Sequence, residues 1–331
     1  MLQIVGKGVM ITLLLGLLLS VAAIFWLFHY NRVVPSATAP EAVVLIPPGS
    51  SFEQTAAILA DAGLIERDIR FSILACLYGL ASKVRAGEFS LATGKPPMET
   101  LEALTKAEPL QHPVTIVEGR RAKEIARRFA ERGFCDAEKF LELVHDKVFI
   151  ASLGLDNLAG LEGYLYPDTY HLTRIPAFDA EKIIQMMVGR FFQVWKTLDS
   201  GEAELHKTVI LASIVEKETG VAEERPRIAS VFANRLRKGM RLQSDPTVIY
   251  TIDDFSGTIT RADLQRKTLY NTYVVRGLPA GPICSPGRAA LAAVLNPADE
   301  PYLYFVSKND GTHHFSKTLR EHNRAVKKYQ R

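Results

Sequence analysis

The 331-residue chain is poor in cysteine. Cys76, Cys135 and Cys284 stand singly, with no CxxC pair and no metal-ligand spacing. An odd count leaves at least one of them unpaired within the chain, so stability must come from an apolar core and not from a disulfide scaffold. An excess of either sign is also lacking, since 40 basic residues stand against 36 acidic ones. The net charge is only +4, and no basic run carries interleaved aromatics, which argues against nucleic acid as a partner. Neither a GxSxG elbow nor a phosphate-binding glycine loop occurs. His313 and His314 are neighbours in a β-rich run. Adjacent strand residues point to opposite faces, so the two cannot chelate one ion, and no second ligand cluster has suitable spacing. No metal and no cofactor is expected. Internal repeats and low-complexity stretches are absent.

One long apolar run is present. Gly8–Phe28, "GVMITLLLGLLLSVAAIFWLF", holds 21 residues and no charge. As a helix it would measure ~31 Å, enough to span a bilayer core. It is longer than the apolar region of a secretory signal peptide, and Phe25, Trp26 and Phe28 crowd its end. No small-x-small cleavage site follows directly. The run therefore reads as an uncleaved anchor, with residues 1–7 as a short head and 29–40, "HYNRVVPSATAP", as a linker. Lys7 and the α-amino group precede the span and Arg32 follows it, so the positive-inside rule orients it only weakly. With the head inside the cell, everything after the span lies outside the cytoplasm.

The remainder mixes both kinds of element, an α+β pattern. Residues 41–110 form a first unit: a strand in "AVVLIPPGSS", a helix with Ser51 as N-cap, Gln54 completing a capping box and Gly63 as stop, a helix in "RFSILACLYGL", a hairpin strand in "AGEFSLATG" and a short helix in "METLEALTKAE". Residues 111–331 form the second. "HPVTIVEG" reads as a strand, "RRAKEIARRFAERG" as an amphipathic helix, and "DAEKFLELVHD" as a helix capped by Asp136 without a box. Long helices are expected at about 178–198 and 202–219, then one in "ERPRIASVFANRLRKG". Turn signals and short strands are expected over 240–287, a helix in "RAALAAVLNP", a hairpin around Asn309-Asp310-Gly311, and a closing helix.

The helix at 202–219 ends in "IVEKET", with Glu216 and Glu218 one residue apart. At 100° per residue, Glu218 shares a face with Leu211, Ile214 and Val215, while Glu216 points about 160° away, beside Val209 and Ala212. The two acids cannot serve one site as a close pair. Glu218 emerges from the bulkier apolar stripe, where loss of water raises a carboxyl's pKa and suits it to act as a general acid. A solvated glutamate in a last helical turn is the bland alternative, and the helix dipole does not favour an acid there.

"IVEKET" resembles the active helix of lysozyme-like lytic transglycosylases, in which a hydroxyl residue follows the catalytic glutamate, here Thr219 after Glu218. "LEGYLYPDTY" (161–170), "ASIVEKET" (212–219), "SVFANRLRKGMRLQSDPTVIY" (230–250), "YNTY" (270–273), "GLPAGPICSPG" (277–287) and "NPADEPYLYFV" (296–306) follow in order. Together they are similar to the endolytic murein transglycosylases, the YceG-like family. The resemblance implies a LysM-like unit at 41–110 and a catalytic domain at 111–331 with a lysozyme-like catalytic helix. It implies cleavage of the β-1,4 bond between N-acetylmuramic acid and N-acetylglucosamine within peptidoglycan strands. Glu218 would act as the single acid and base, no water would be used, and 1,6-anhydro ends would remain.

Tyr166, Asp168, Gln243, Asp245, Thr247, Asn271 and Tyr273 are the candidates for substrate contact. Gly277, Gly281 and Gly287 are expected to set loop shape. The implied location is the inner membrane, with the head cytoplasmic and the catalytic part periplasmic. The implied partners are glycan strands, with peptidoglycan synthases as candidates. Two other readings stay open. A hydrolase of the same bond would need a second carboxylate, for which Asp168, Asp245 and Glu162 are available. A non-catalytic peptidoglycan-binding scaffold would not need Glu218 at all.

Overall fold

The apolar run folds as helix α1 (Leu2–Tyr30) in the computed structural model, which describes residues 2–36, 39–174, 178–253, 255 and 257–330. Its Met10–Tyr30 stretch is long and apolar enough to cross a membrane, with Leu13, Leu19 and Ile24 among its exposed side chains. The side chains of residues 1–9 and the linker positions 37–38 lie outside the described residues. The helix does not stop where the linker was expected. His29 and Tyr30 are still helical, and Tyr30 is fully buried among Leu59, Phe71 and Phe89. An apolar ring at the helix end gains more from that core than from water, so the helix continues until the ring is seated.

The chain divides into two compact units, Met1–His112 with His171–Ala177, and Pro113–Tyr170 with Phe178–Arg331. In the first, β1 (Glu41–Ile46) leads through α2 (Phe52–Asp61) and α3 (Ile69–Leu77) to β2 (Gly87–Ala92) and α4 (Pro97–Lys106). Ser51 caps α2 and Gln54 completes the box. Gly63 takes the left-handed turn that ends α2, at φ 71°. β2 is not a hairpin strand to a sequence neighbour. It pairs antiparallel with β1 across the two helices, Glu41 opposite Ala92 and Ile46 opposite Gly87. Alternation puts Val44, Ile46, Phe89 and Leu91 into the core and leaves Val43 and Leu45 exposed.

The rest of the chain runs β3 (His112–Thr115), α5 (Ala122–Glu131), α6 (Ala137–His145), α7 (Lys147–Ser152), β4 (Thr169–Leu172), α8 (Ala180–Lys196), α9 (Leu205–Glu218), α10 (Arg225–Arg237), α11 (Asp245–Ile249), α12 (Arg261–Gln265), α13 (Arg288–Leu295), β5 (Tyr304–Ser307), β6 (His313–Ser316) and α14 (Leu319–Tyr329). β3 pairs with β4, and β5 with β6. α9 lies against α10 and α13, and every residue from Thr208 to Val215 is buried. A helix enclosed on all sides needs an apolar sequence all round, which "TVILASIV" supplies.

The short strands expected over 240–287 are not formed among the described residues. An isolated bridge joins Arg241 to Gly277, and "DPTVI" folds as the one-turn helix α11. Pro246 fits a first helical turn, and this outweighs the β-preference of Thr247, Val248 and Ile249. The class is mixed α+β with an N-terminal apolar helix.

Candidate active site

Glu218 is the last residue of α9, and the backbone turns to an extended conformation at Thr219. Its carboxyl enters a cleft of about 430 Å³ lined by Arg235, Leu242, Gln243, Asp245, Tyr273, Tyr304 and the β5–β6 hairpin. Burial pushes that carboxyl from 4.5 up to about 7. A hydrogen bond from Ser244 pulls it down, the Asp245 charge pushes it up, and Arg235 pulls it down again. The Ser244 hydroxyl donates to Glu218 Oε1 at 2.5 Å. An acid at about 7 is partly protonated at neutral pH, as a proton donor to a leaving oxygen must be.

A polar braid holds this geometry. The Ser244 N–H donates to Thr272 Oγ1 at 2.9 Å, the Thr247 hydroxyl donates to the Ser244 carbonyl at 2.6 Å, and Thr247 and Thr272 hydroxyls meet at 2.9 Å. Gln243, whose N–H donates to the Thr272 carbonyl, is held at φ 50°. For a residue with a Cβ that conformation costs roughly 1–2 kcal/mol, which the surrounding bonds must offset. Asn271 donates from Nδ2 to the carbonyls of Asp263, Leu264 and Arg266 and accepts the Tyr273 N–H. The Tyr273 hydroxyl donates to Asp245 Oδ1 at 2.6 Å. Burial, with Asp245 as acceptor, raises the pKa of that phenol.

Gln243, Asp245 and Tyr273 therefore reach the cleft beside Glu218. Thr247 and Asn271 are buried and fasten the loops behind it. Tyr166 and Asp168 do not line the cleft. Asp168 pairs with Arg190 Nε at 2.7 Å, and the Tyr166 carbonyl accepts the Tyr170 hydroxyl. Glu162 is elsewhere again, accepting the Ala122 N–H at the start of α5 and the Tyr250 hydroxyl. Its burial pushes it up to about 7 as well. Glu216 turns from Glu218 to accept the Gly287 N–H at 2.9 Å and to face Arg225. The loop glycines have steric reasons. Gly277 has φ 83°, and a Cβ at Gly287 would lie 1.7 Å from Glu118 Oε1.

Arg235 escaped the sequence reading. It looks like part of a solvated basic face in "NRLRKG", yet it is buried, donating to the carbonyls of Leu303 and Leu242 at 2.6 and 2.7 Å. Its guanidinium lies 5.1 Å from the Tyr304 ring centroid. Apolar spacing in α10 was the available signal, since position 235 follows Val231 and Phe232 by four and three residues. His313 is tied by its N–H and ring to Glu224, and the His314 ring packs against Tyr329. Among the described residues no three metal-ligating side chains converge.

Comparison with known proteins adds sequence relationships to this geometry. The YceG-like family model matches residues 44–328. The endolytic murein transglycosylase of Bacillus subtilis is 33% identical over 302 residues, covering 86% of this chain and 83% of that protein. That of Streptococcus pneumoniae (serotype 2) is 28% identical over 338 residues, covering 90% of this chain and 61% of the relative. The crystal structure of a putative yceG-like protein from Listeria monocytogenes superposes with a TM-score of 0.58 at 32% identity, covering 86% of this chain and 99% of that one.

Proposed function

The chain belongs to the YceG-like family, and from that premise we propose that it is a membrane-anchored endolytic transglycosylase of peptidoglycan. The observation that carries the reading is the Glu218 carboxyl, raised to about 7 in an open cleft. Glu218 protonates the glycosidic oxygen between N-acetylmuramic acid and N-acetylglucosamine, and that bond breaks. The substrate's own acetamido group supports the oxocarbenium-like centre. Glu218, now a carboxylate, takes the proton of the muramic C6 hydroxyl as that oxygen bonds to C1. The acid is regenerated, and a 1,6-anhydro end is left without water entering. Ser244 and Arg235 favour the carboxylate form and so ease the first transfer, while Asp245 favours the second.

Hydrolysis by two carboxylates is the second reading. Among the described residues Asp245 is the other carboxylate lining the cleft, and its Oδ1 already holds the Tyr273 hydroxyl. That engagement favours a single-acid mechanism. Gln243, Asp245 and Tyr273 contact the sugar from the cleft wall; Tyr166, Asp168, Thr247 and Asn271 shape or flank its surroundings.

The strand–helix–helix–strand order of residues 41–92, followed by α4, supports a LysM-like unit at 41–110, acting as a glycan contact or as a spacer. With the N-terminus cytoplasmic, α1 lies in the inner membrane and the catalytic part works in the periplasm. Such an enzyme limits nascent strands close to where synthases make them. Full-length protein and Glu218→Gln are to be incubated with purified peptidoglycan and the ends weighed by mass spectrometry. Ends one water lighter than reducing sugars, lost by ~10²–10⁴-fold in rate with Glu218→Gln, are expected. Ordinary reducing ends would turn the reading to a hydrolase, and glycan binding without cleavage to a scaffold.

A further inference from the structure

Helix α3 is apolar on two faces. Phe71, Leu74 and Ala75 point into the core of the first unit. Ile69, Ile73, Cys76 and Leu77, spaced i, i+4, i+7 and i+8, form a second stripe. Ile69 is 70% exposed and Leu77 67%, Tyr78 just beyond is 62% exposed, and Cys76 is exposed too. A helix that lay against water alone would carry polar residues on that side. Between α2 and α3 a groove of about 610 Å³ opens on the same side, sharing Ile69 and Cys76 with the stripe and adding the polar Ser72.

The start of α3 lies at the end of α1. Arg70, next to Ile69, lies over the rings of both Trp26 and Tyr30 of α1, at 5.2 and 4.6 Å from their centroids. The Tyr30 hydroxyl donates to the Glu66 carbonyl. Arg32 stacks on Phe28 at 4.4 Å. Aromatic rings with arginines beside them are what a helix presents at headgroup depth. Tyr30 is also fixed in the core of the first unit, so no slack separates that depth from α3.

We infer that the outer face of α3, from Ile69 to Tyr78, lies on the lipid bilayer at the end of α1. The occupant of the face is the interfacial layer of the membrane that α1 enters. The first unit is then a peripheral membrane module as well as the continuation of an anchor. This inference rests on α1 crossing a bilayer and not on Glu218 chemistry.

Cys76 provides the probe, since it sits two turns along the stripe from Ile69. The full-length chain with Cys135→Ser leaves Cys76 as the accessible thiol, Cys284 being buried. It is labelled with a polarity-sensitive fluorophore and reconstituted in vesicles of phosphatidylcholine and phosphatidylglycerol. The reference is a label at Glu102→Cys, an exposed position on α4, in a chain also carrying Cys76→Ser. The expected result is blue-shifted emission at Cys76, quenching by headgroup nitroxide lipid, and several-fold weaker quenching by aqueous iodide than at the reference. Ile69→Glu with Leu77→Glu should restore iodide access while the protein still floats with the vesicles.

Equal iodide access at both positions would overturn the inference. So would shielding from iodide without nitroxide quenching, which would mark a second copy or another protein on the face. Shielding that survives the glutamate pair would overturn it too, and failure to float would remove its premise. None of these outcomes bears on the release of anhydro ends.

Discussion

Ser244 and Asp245 pull the Glu218 proton in opposite directions. Ser244 stabilises the carboxylate by donating to it, and Asp245 destabilises it by its own charge. A reaction that needs Glu218 protonated loses rate as pH rises through about 7. Ser244→Ala should therefore move the alkaline limb of kcat/KM upward, and Asp245→Asn should move it downward. A pH profile on soluble glycan strands checks both; limbs that stay in place would show that Glu218 does not govern the limb. That Glu216 and Glu218 face different surroundings was legible in the sequence, because a helical wheel separates them. For Arg235 the apolar spacing of α10 signalled burial but not its role, because its carbonyl partners come from residues remote from α10 or beyond its end.

Loops and helix ends hold the site through close approaches. Gly163 has φ 87°, and a Cβ there would come within 2.6 Å of Pro282 and 2.8 Å of Val209. Both the backbone and the packing exclude a side chain, and Val209 belongs to α9 itself. Gly163→Ala should cost about 1–3 kcal/mol or more, read as a lower urea midpoint, with activity falling in proportion to folded protein. Local signals were legible where the chemistry is local. The capping box at Ser51 and Gln54, the Asp136 cap whose carboxylate accepts the Lys139 N–H, and the turn between β5 and β6 all formed as read. The 240–287 region misled because β-branched residues there bond across the loops. Thr247 and Thr272 engage their hydroxyls with each other and with the Ser244 backbone, and among the described residues no neighbouring strand completes a ladder.

For the molecule as a whole, the raised carboxyls of Glu162 and Glu218 contribute to a pH dependence of folding. Glu162 and Glu218 ordinarily titrate at 4.5 and are pushed to about 7 in the fold. Between those values the folded chain keeps protons that the unfolded chain has released. Their contribution is fully present below 4.5 and is lost as pH rises to about 7. Glu218→Gln removes one of the two, so its loss of stability between about pH 5 and about pH 8 should be shallower by ~1–3 kcal/mol in urea titrations. An identical slope would mean that Glu218 titrates as a solvated acid. The apolar helix α1 was legible as a length and a composition. Its seating through Tyr30 was not, because one aromatic at the end of an apolar run gives no sign of which core will receive it.

The enclosure of α9 carries a further consequence, in terms of hydrogen exchange. Amides from Thr208 to Val215 are surrounded by protein, so they meet water only when the second unit opens as a whole. Glu218 lies three residues beyond that run, where α9 ends with Thr219 as its C-cap. Slow exchange from Thr208 to Val215 with faster exchange at Ser244 and Tyr273 is the pattern expected of a cleft whose loops move against a fixed helix.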